Sequence, residues 1–341
     1  MVQRIFSKPA DRRREIKRGR LMDAGTEAGT GAVSATVDHA PSFITGPTPQ
    51  KPFEILTPTA PTSPVIFASP HSGRLYPHEL LTATRLSRHA LRQSEDCYVD
   101  LLFAAAPKLG APLIKALFPR AYIDVNRRED ELDPRMFTGP LAIRADAKSS
   151  RVLAGLGVLP RIVADGKNIY GRKISADDAA RRLAACYQPY HGALRQLLQQ
   201  TRARFGVAVL IDCHSMPTIG GAPIRPGEPA LDFVIGDRFG TSAAPGITGL
   251  IETFLSQRDY HVARNTPYAG GHVAHAYGRP AKGVHVVQIE INRSLYLDEQ
   301  KLTRADGFDR IRALMTDMIA DLVAIRPEAL NTTLSGAWAA E

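Results

Sequence analysis

The apolar run Val207-Ala-Val-Leu-Ile-Asp-Cys-His-Ser-Met216, closed by Pro217 and then Gly220-Gly221, constrains this chain more than any other stretch. An unbroken series of β-branched and small side chains with no helical period reads as a strand buried on both faces. Such strands belong to parallel or mixed sheets covered by helices, whose ligands sit beyond the carboxyl ends of the strands. At that end the pattern delivers Asp212, His214 and Ser215. Period-two alternation puts Asp212 and His214 on one side of the strand. Taken alone, the pair reads equally well as a buried Asp–His hydrogen bond holding a turn or as part of a site.

The same architecture occurs twice more. Pro64-Val-Ile-Phe-Ala-Ser-Pro-His-Ser-Gly73 is an apolar strand running into a His-Ser pair and a glycine. Val284-His-Val-Val-Gln-Ile-Glu-Ile-Asn-Arg293 alternates and ends in a carboxylate, an amide and a guanidinium. Three strands that each deliver polar groups at their carboxyl ends describe a convergent site, not scattered polar residues of a core.

The rest of the chain supplies helices for such a sheet. Helical periodicity runs over residues 86–109, over 177–205 with Pro189 interrupting, over 241–257 and over 298–325. Residues 112–118, 121–125, 231–236 and 260–265 read as strands, 128–140 as an exposed loop, and 268–272 as a Gly-rich loop. Strands alternating with helices predict an α/β fold, a mixed β-sheet flanked by helices on both faces. Residues 51–330 then form a single α/β domain. Residues 1–50, with Arg12-Arg-Arg-Glu-Ile-Lys-Arg-Gly-Arg20 and a following stretch rich in Gly, Thr, Ala, Ser and Pro, read as a disordered basic tail, and 331–341 as a C-terminal tail.

Composition narrows the function classes. No run of apolar residues is long enough to cross a membrane. The start of the chain lacks the apolar core of a signal peptide, and Cys97, Cys186 and Cys213 show no paired spacing, so a reduced, cytoplasmic protein is expected. The net charge of +9 permits polyanion binding, and a non-enzymatic nucleic-acid binder working through the basic tail is the competing class. No aromatic-interleaved basic motif appears in the body of the chain, which makes nucleic acid the weaker reading.

His71, Asp96 and His214 form a candidate metal set. Zinc accepts imidazole nitrogen and carboxylate oxygen, and a catalytic zinc keeps three protein ligands and one open position. There is no HExxH, the three residues come from separate segments, and each histidine alone is more often a hydrogen-bonded core or surface residue. Glu290 is the candidate general base, since a partly desolvated carboxylate at a strand end can take a proton from water; the plain alternative is a salt bridge to Arg293 or Arg279. Arg120 and Arg127 suit a developing oxyanion and a substrate carboxylate, the latter with Asn126 beside it; the alternative is a structural network with Asp124 and Glu129.

Several stretches fall in one order: Ser69-Pro-His-Ser-Gly73, Ser94-Glu-Asp-Cys-Tyr-Val-Asp100, Arg120-Ala-Tyr-Ile-Asp-Val-Asn-Arg127, Asp212-Cys-His-Ser215, Gly270-Gly-His272 and Gln288-Ile-Glu-Ile-Asn-Arg-Ser-Leu-Tyr296. That ordered set, from about Ile66 to the final long helix, resembles the N-formylglutamate amidohydrolase family. The resemblance implies a fold similar to zinc carboxypeptidases and aspartoacylases, with one Zn2+ on His71, Asp96 and His214. Glu290 would be base and proton shuttle, Arg120 the oxyanion-stabilising arginine, and Asn126 with Arg127 the clamp on the substrate α-carboxylate; Arg293 is counted with the substrate-binding residues. In zinc carboxypeptidases the first two ligands stand in a close His-x-x-Glu, whereas three residues after His71 this chain has Arg74, so the second ligand comes from elsewhere, Asp96 with Glu95 as competitor. The implied activity is hydrolysis of N-formyl-L-glutamate, or a close N-acyl amino acid, to formate and L-glutamate. A carboxypeptidase or another N-acyl amino acid deacylase with the same centre is the runner-up, with loops at 128–140 and 217–229 shaping the pocket.

Overall fold

Side-chain alternation along the central strands divides the protein into two apolar layers, one on each face of a seven-stranded sheet. The computed structural model describes residues 43–326 apart from 164, 165, 225 and 226. The sheet strands are β1 (Phe53–Leu56), β2 (Val65–Ser69), β3 (Leu113–Ala116), β4 (Ala208–Met216), β5 (Phe233–Gly236), β6 (Val262–Arg264) and β7 (Val284–Asn292), in the order β6-β5-β7-β4-β2-β3-β1. β7, β4, β2 and β3 run parallel, while β5 and β1 pair antiparallel to their neighbours β7 and β3. The sheet is mixed, as the apolar runs predict.

Val65, Phe67, Val209, Ile211, Cys213, Val287, Ile289 and Ile291 face one layer, closed by helices α3 (Pro245–Ser256) and α5 (Phe308–Val323). Ile66, Ala68, Ala208, Leu210 and Val286 face the other, closed by α1 (Ala176–Arg182), α2 (Gln188–Phe205) and α4 (His272–Tyr277). Burying each such aliphatic side chain stabilises by about 1.5–3 kcal/mol, so the two layers hold the sheet between them. On the second face the apolar series ends partway along the strands. In β4 the next residues of that face are Asp212 and His214, and in β7 they are Gln288 and Glu290, each directly across from the other pair in register. The functional edge is therefore a continuation of one core face into polar residues.

Five segments depart from the sequence expectations. Residues 86–109 are not one helix: Arg88–Arg92 and Val99–Leu102 are short turns separated by Gln93–Tyr98, with Tyr98 in the left-handed region at φ 62°. The Asp96 N–H donates to the carbonyl of His71 at 3.1 Å and the Ser72 hydroxyl donates to the Asp96 carbonyl at 2.9 Å, contacts that a continuous helix would forbid. Residues 121–125 form turns instead of a strand, and 128–140 is not simply exposed, since Glu131, Leu132, Met136 and Phe137 are buried. The last helix begins at Phe308, not near 298, because residues 297–304 form a small antiparallel pair. Pro189 does not end its helix: it occupies the first turn of α2, where no N–H is needed, after a π-helical turn at Leu183–Tyr187.

The folded body also starts earlier than residue 51. Ile44–Gly46 pairs parallel with Leu75–Pro77, and Phe43 stacks on Tyr76 with centroids 4.1 Å apart. The rest of the expected tails, 1–42 and 331–341, lies outside the described residues, as does the basic Arg12–Arg20 segment. No described helix is long and apolar enough to cross a membrane.

Gly73 locks the His71 turn to the end of β3. A Cβ at this position would lie 2.0 Å from the backbone oxygen of Phe118, so only glycine permits the approach. Gly73→Ala is expected to destabilise the protein by about 1–3 kcal/mol, the usual cost of overpacking a close contact. In urea the unfolding midpoint should fall with an unchanged slope; a wild-type midpoint would show that the turn moves aside freely.

Candidate active site

The carboxyl ends of β2, β4 and β7, and the segment that follows β3, all reach one edge of the sheet. His71 lies just beyond β2, His214 near the end of β4, Glu290 near the end of β7, and Arg120, Asp124, Asn126 and Arg127 follow β3. Together they line a cleft of about 510 Å³ that also contains Asp96 and Arg293. Every residue selected from the sequence thus meets at one place.

His71, Asp96 and His214 are buried, and one ligand atom from each lies within 4.8 Å of the others. The geometry orients both imidazoles the same way. Asp96 Oδ2 is 3.3 Å from His71 Nδ1 and 3.0 Å from His214 Nδ1. Behind each ring stands a second carboxylate: Asp124 Oδ1 is 2.7 Å from His71 Nε2, and Asp212 Oδ2 is 3.0 Å from His214 Nε2. A carboxylate on the far nitrogen fixes the tautomer of a ligating histidine and raises its basicity. The donor set therefore fits a divalent cation bound through two Nδ1 atoms and one Asp96 oxygen. Asp212 is the strand-end carboxylate whose pairing with His214 the alternation anticipates, and it serves the site by that same contact.

Glu95 is not the second donor. Its carboxylate accepts from Tyr76 Oη at 2.5 Å, from Arg92 Nε at 3.2 Å and from the Cys97 thiol at 3.3 Å, on the side away from the histidines. Asp96 instead receives Arg293 Nη2 on its Oδ1 at 3.2 Å. Burial disfavours the ionised form of Asp96, but the hydrogen bonds from His214 and His71 outweigh it and hold the group well below the usual carboxylate range. Burial likewise opposes ionisation of Asp124, and Arg120, Arg127 and His71 reverse the balance.

The remaining residues divide by what their polar atoms touch. Glu290 makes no salt bridge to Arg293 or Arg279; its Oε1 accepts from Gln288 Nε2 at 2.8 Å, and Gln288 in turn accepts from the Gly271 N–H at 2.7 Å. Burial pushes the Glu290 carboxyl up to about 7, with His214 and Arg120 working against that shift and Asp96 and Asp212 adding to it. Arg120 Nη2 pairs with Asp124 Oδ2 at 2.8 Å. Arg127 is tied by Nε to the carbonyl of Leu156 and by Nη1 to that of Asn126, both at 2.8 Å, with Nη2 3.6 Å from Asp124. The structural network with Asp124 that the sequence allowed is present within the site.

Asn126 and Arg293 line the cleft and also bond into the protein. The Asn126 amide donates towards Asp212 Oδ2 at 3.3 Å, lies 3.2 Å from His214 Nε2 and accepts from the Val273 N–H at 2.8 Å. Gly271 packs so closely on it that a Cβ there would lie 2.4 Å from the amide. Arg293 donates to Ser215 Oγ and to the carbonyls of Gln93 and Glu95 as well as to Asp96. Both side chains thereby contact the candidate donor set, Asn126 at His214 and Arg293 at Asp96. Beneath the 125–127 segment, His191 Nε2 meets the carbonyl of Val125 at 2.9 Å and Tyr187 Oη donates to that of Arg127 at 2.8 Å. Neither was singled out in the sequence, where both read as ordinary members of an amphipathic helix. The cleft walls also come from elsewhere than expected: from Arg151, Leu156, Pro160 and Ile162, and from Pro267–Gly271, with only Pro217 among the described residues of the 217–229 loop.

Comparison with known proteins places this geometry in a family. The family model for N-formylglutamate amidohydrolase matches residues 63–297, which spans the sheet from β2 to β7 and every residue of the cleft. An N-formylglutamate deformylase of Pseudomonas aeruginosa is 29% identical over 273 residues, covering 76% of this chain and 93% of its own. A second from Pseudomonas putida is 29% identical over 245 residues, covering 69% and 82%. The crystal structure of an N-formylglutamate amidohydrolase from Ralstonia eutropha JMP134 superposes with a TM-score of 0.76 at 35% identity, over 83% of this chain and 99% of that one. A structure of a gene product from Agrobacterium tumefaciens, 18% identical with a TM-score of 0.55, shares the fold. With the motifs, the sheet and the cleft in agreement, the chain belongs to the N-formylglutamate amidohydrolase family.

Proposed function

We propose that this chain is a zinc-dependent amidohydrolase that converts N-formyl-L-glutamate and water to formate and L-glutamate. The observation that carries the reading is the pair of imidazoles whose Nδ1 atoms converge on Asp96 while Asp124 and Asp212 back their Nε2 atoms, with Glu290 on the adjacent strand. When bound by His71, Asp96 and His214, zinc supplies Lewis-acid polarisation of the amide carbonyl and acidifies water. The rest is the work of the chain's own groups. The likeness to zinc carboxypeptidases and aspartoacylases belongs to this same reading, as does a cytoplasmic location, supported by three buried, unpaired cysteines.

Glu290 takes a proton from the attacking water and returns it to the leaving nitrogen, so that the C–N bond breaks with a neutral amine departing. A carboxyl held near 7 by burial can do both at neutral pH. Arg120, paired with Asp124 at the cleft, stabilises the oxyanion that forms at the formyl carbon. Arg127 contacts the substrate α-carboxylate: burial pulls its guanidinium down to about 10, so an anionic partner restores what desolvation removes. Asn126 and Arg293 act by holding His214 and Asp96.

Four outcomes test this reading. Zinc uptake should be stoichiometric and should release protons, because both imidazoles bind as neutral rings; affinity therefore weakens as pH falls. Zinc retained in full by both His71→Ala and His214→Ala would remove the donor set. Glu290 must be ionised to act as base, so kcat/KM is expected to fall as pH drops through about 7. In Glu290→Gln that limb should vanish, zinc should stay bound, and kcat should drop by roughly 10²–10⁴; a near wild-type kcat would mean that another group activates the water. Arg127→Ala is expected to raise KM more than it lowers kcat, and Arg120→Ala to do the reverse, as ground-state and transition-state contacts differ. Reversed patterns would exchange the two roles.

A further inference from the structure

We propose that Arg151 is the specificity residue for the side-chain carboxylate, making the enzyme selective for N-acyl derivatives of acidic amino acids over neutral ones. The assignment rests on the amidohydrolase reading and deepens it. A substrate with two carboxylates needs a second cation besides Arg127, and the cleft arginines can be examined in turn.

Arg120 is taken by Asp124 at 2.8 Å, and Arg293 by Asp96, Ser215 and two backbone carbonyls. Arg128, next to Arg127 in sequence, is gripped by Asp130 and Asp146. Arg151 lines the same cleft, and its ion-pair partner, Glu131, is 3.9 Å away, beyond hydrogen-bond distance. The hydrogen bonds that Glu131 accepts come from the Arg128 N–H at 2.9 Å and from Ser149 Oγ at 2.5 Å, not from the Arg151 donors. Among the described residues nothing lies within hydrogen-bond distance of the Arg151 guanidinium donors, so this cation at the cleft is open to a ligand.

Its position relative to Arg127 is set by the backbone. The short helix Ser150–Leu153 closes through the Leu156 N–H, which donates to the carbonyl of Arg151 at 2.7 Å. The carbonyl of the same Leu156 accepts from Arg127 Nε at 2.8 Å. Both guanidinium groups therefore hang on one frame, and Leu156, Pro160 and Ile162 form an apolar wall on that side of the cleft. Two cations beside an apolar wall match a short methylene chain with a carboxylate at each end. A carboxylate at Arg151 also relieves the repulsion that its charge exerts on Arg127.

The test compares N-formyl-L-glutamate with N-formyl-L-glutamine, which has the same shape without the side-chain charge. Wild-type enzyme should prefer the glutamate compound. R151Q should lose about 10- to 100-fold in kcat/KM for it, mainly through KM, the worth of a hydrogen-bonded contact to a charged group, and should leave the glutamine compound unchanged. R151K, which keeps a cation but not the planar fork, should retain part of the preference. Equal losses on both substrates in R151Q, with an unaltered melting temperature, would mark Arg151 as structural and overturn the assignment. An unaltered preference in R151Q would overturn it as well while leaving the amidohydrolase reading in place. No turnover of either compound by zinc-loaded wild-type enzyme would instead overturn that underlying reading, and this assignment with it.

Discussion

The carboxylate of Asp96 is the interaction on which the rest of the site depends. It is buried, and one of its oxygens receives two imidazole Nδ1 atoms while the other receives Arg293. A charge removed from water is tolerated only where other charges and donors surround it. Those partners have partners of their own: Asp124 and Asp212 behind the histidines, and Arg120 and Arg127 around Asp124. The result is a chain of alternating charge that runs the width of the cleft. Removing one member leaves another buried and unpaired, at a cost of about 3–5 kcal/mol, which ties the stability of this edge to the same groups that would bind a cation.

Such a network works only if its members are held in place, and the fold anchors it through the backbone. Asp96 is tied by its N–H to the carbonyl of His71, and Arg293 reaches the carbonyl of Glu95 beside it. The 125–127 segment is held from below by His191 and Tyr187 on consecutive turns of the α2 region. Burial pulls the His191 imidazole down to about 3, so it stays neutral, donating from Nε2 to the Val125 carbonyl and accepting at Nδ1 from Tyr277. The π-helical turn that ends at Tyr187 sits where the helix must aim a hydroxyl at the Arg127 carbonyl. Irregular turns of this kind recur where a helix serves a site.

Charge is distributed unevenly along the cleft. Around His71 and His214 the carboxylates of Asp96, Asp124 and Asp212 are matched by imidazole or guanidinium, and that of Glu290 by the Gln288 amide, an arrangement that could hold a cation. Towards Arg127 and Arg151 the balance tips to positive, with apolar side chains between. A ligand that is anionic at its periphery and carries a polar, hydrolysable bond at its centre complements both ends. The separation follows from the fold: His71 and His214 stand at strand ends and Asp96 in the turn between Arg88–Arg92 and Val99–Leu102, whereas Arg127 and Arg151 stand on segments outside the sheet.

Much of this was legible in the sequence wherever the signal was local. Unbroken apolar runs identified β2, β4 and β7 and the buried sheet, and period two placed Asp212 with His214 on one face, because a strand's side chains alternate whatever lies around it. The ordered motifs brought Asp96, Arg120, Asn126 and Arg127 into the same picture through family resemblance. Three decisions belonged to the tertiary structure. Residues 86–109 carry a helical period, yet the chain breaks at Gln93–Tyr98 because His71, Ser72 and Arg293 claim the backbone and carboxylate of Asp96. Asn126 and Arg293, which by residue type suit a substrate carboxylate, also bond to His214 and Asp96, contacts that no sequence pattern shows. Arg151 was not singled out in the sequence, and only the fold brings it to the cleft. Periodicity records which way a side chain points from its own strand or helix, but which charges neutralise one another depends on distances across the sheet, and these exist only once the chain has folded.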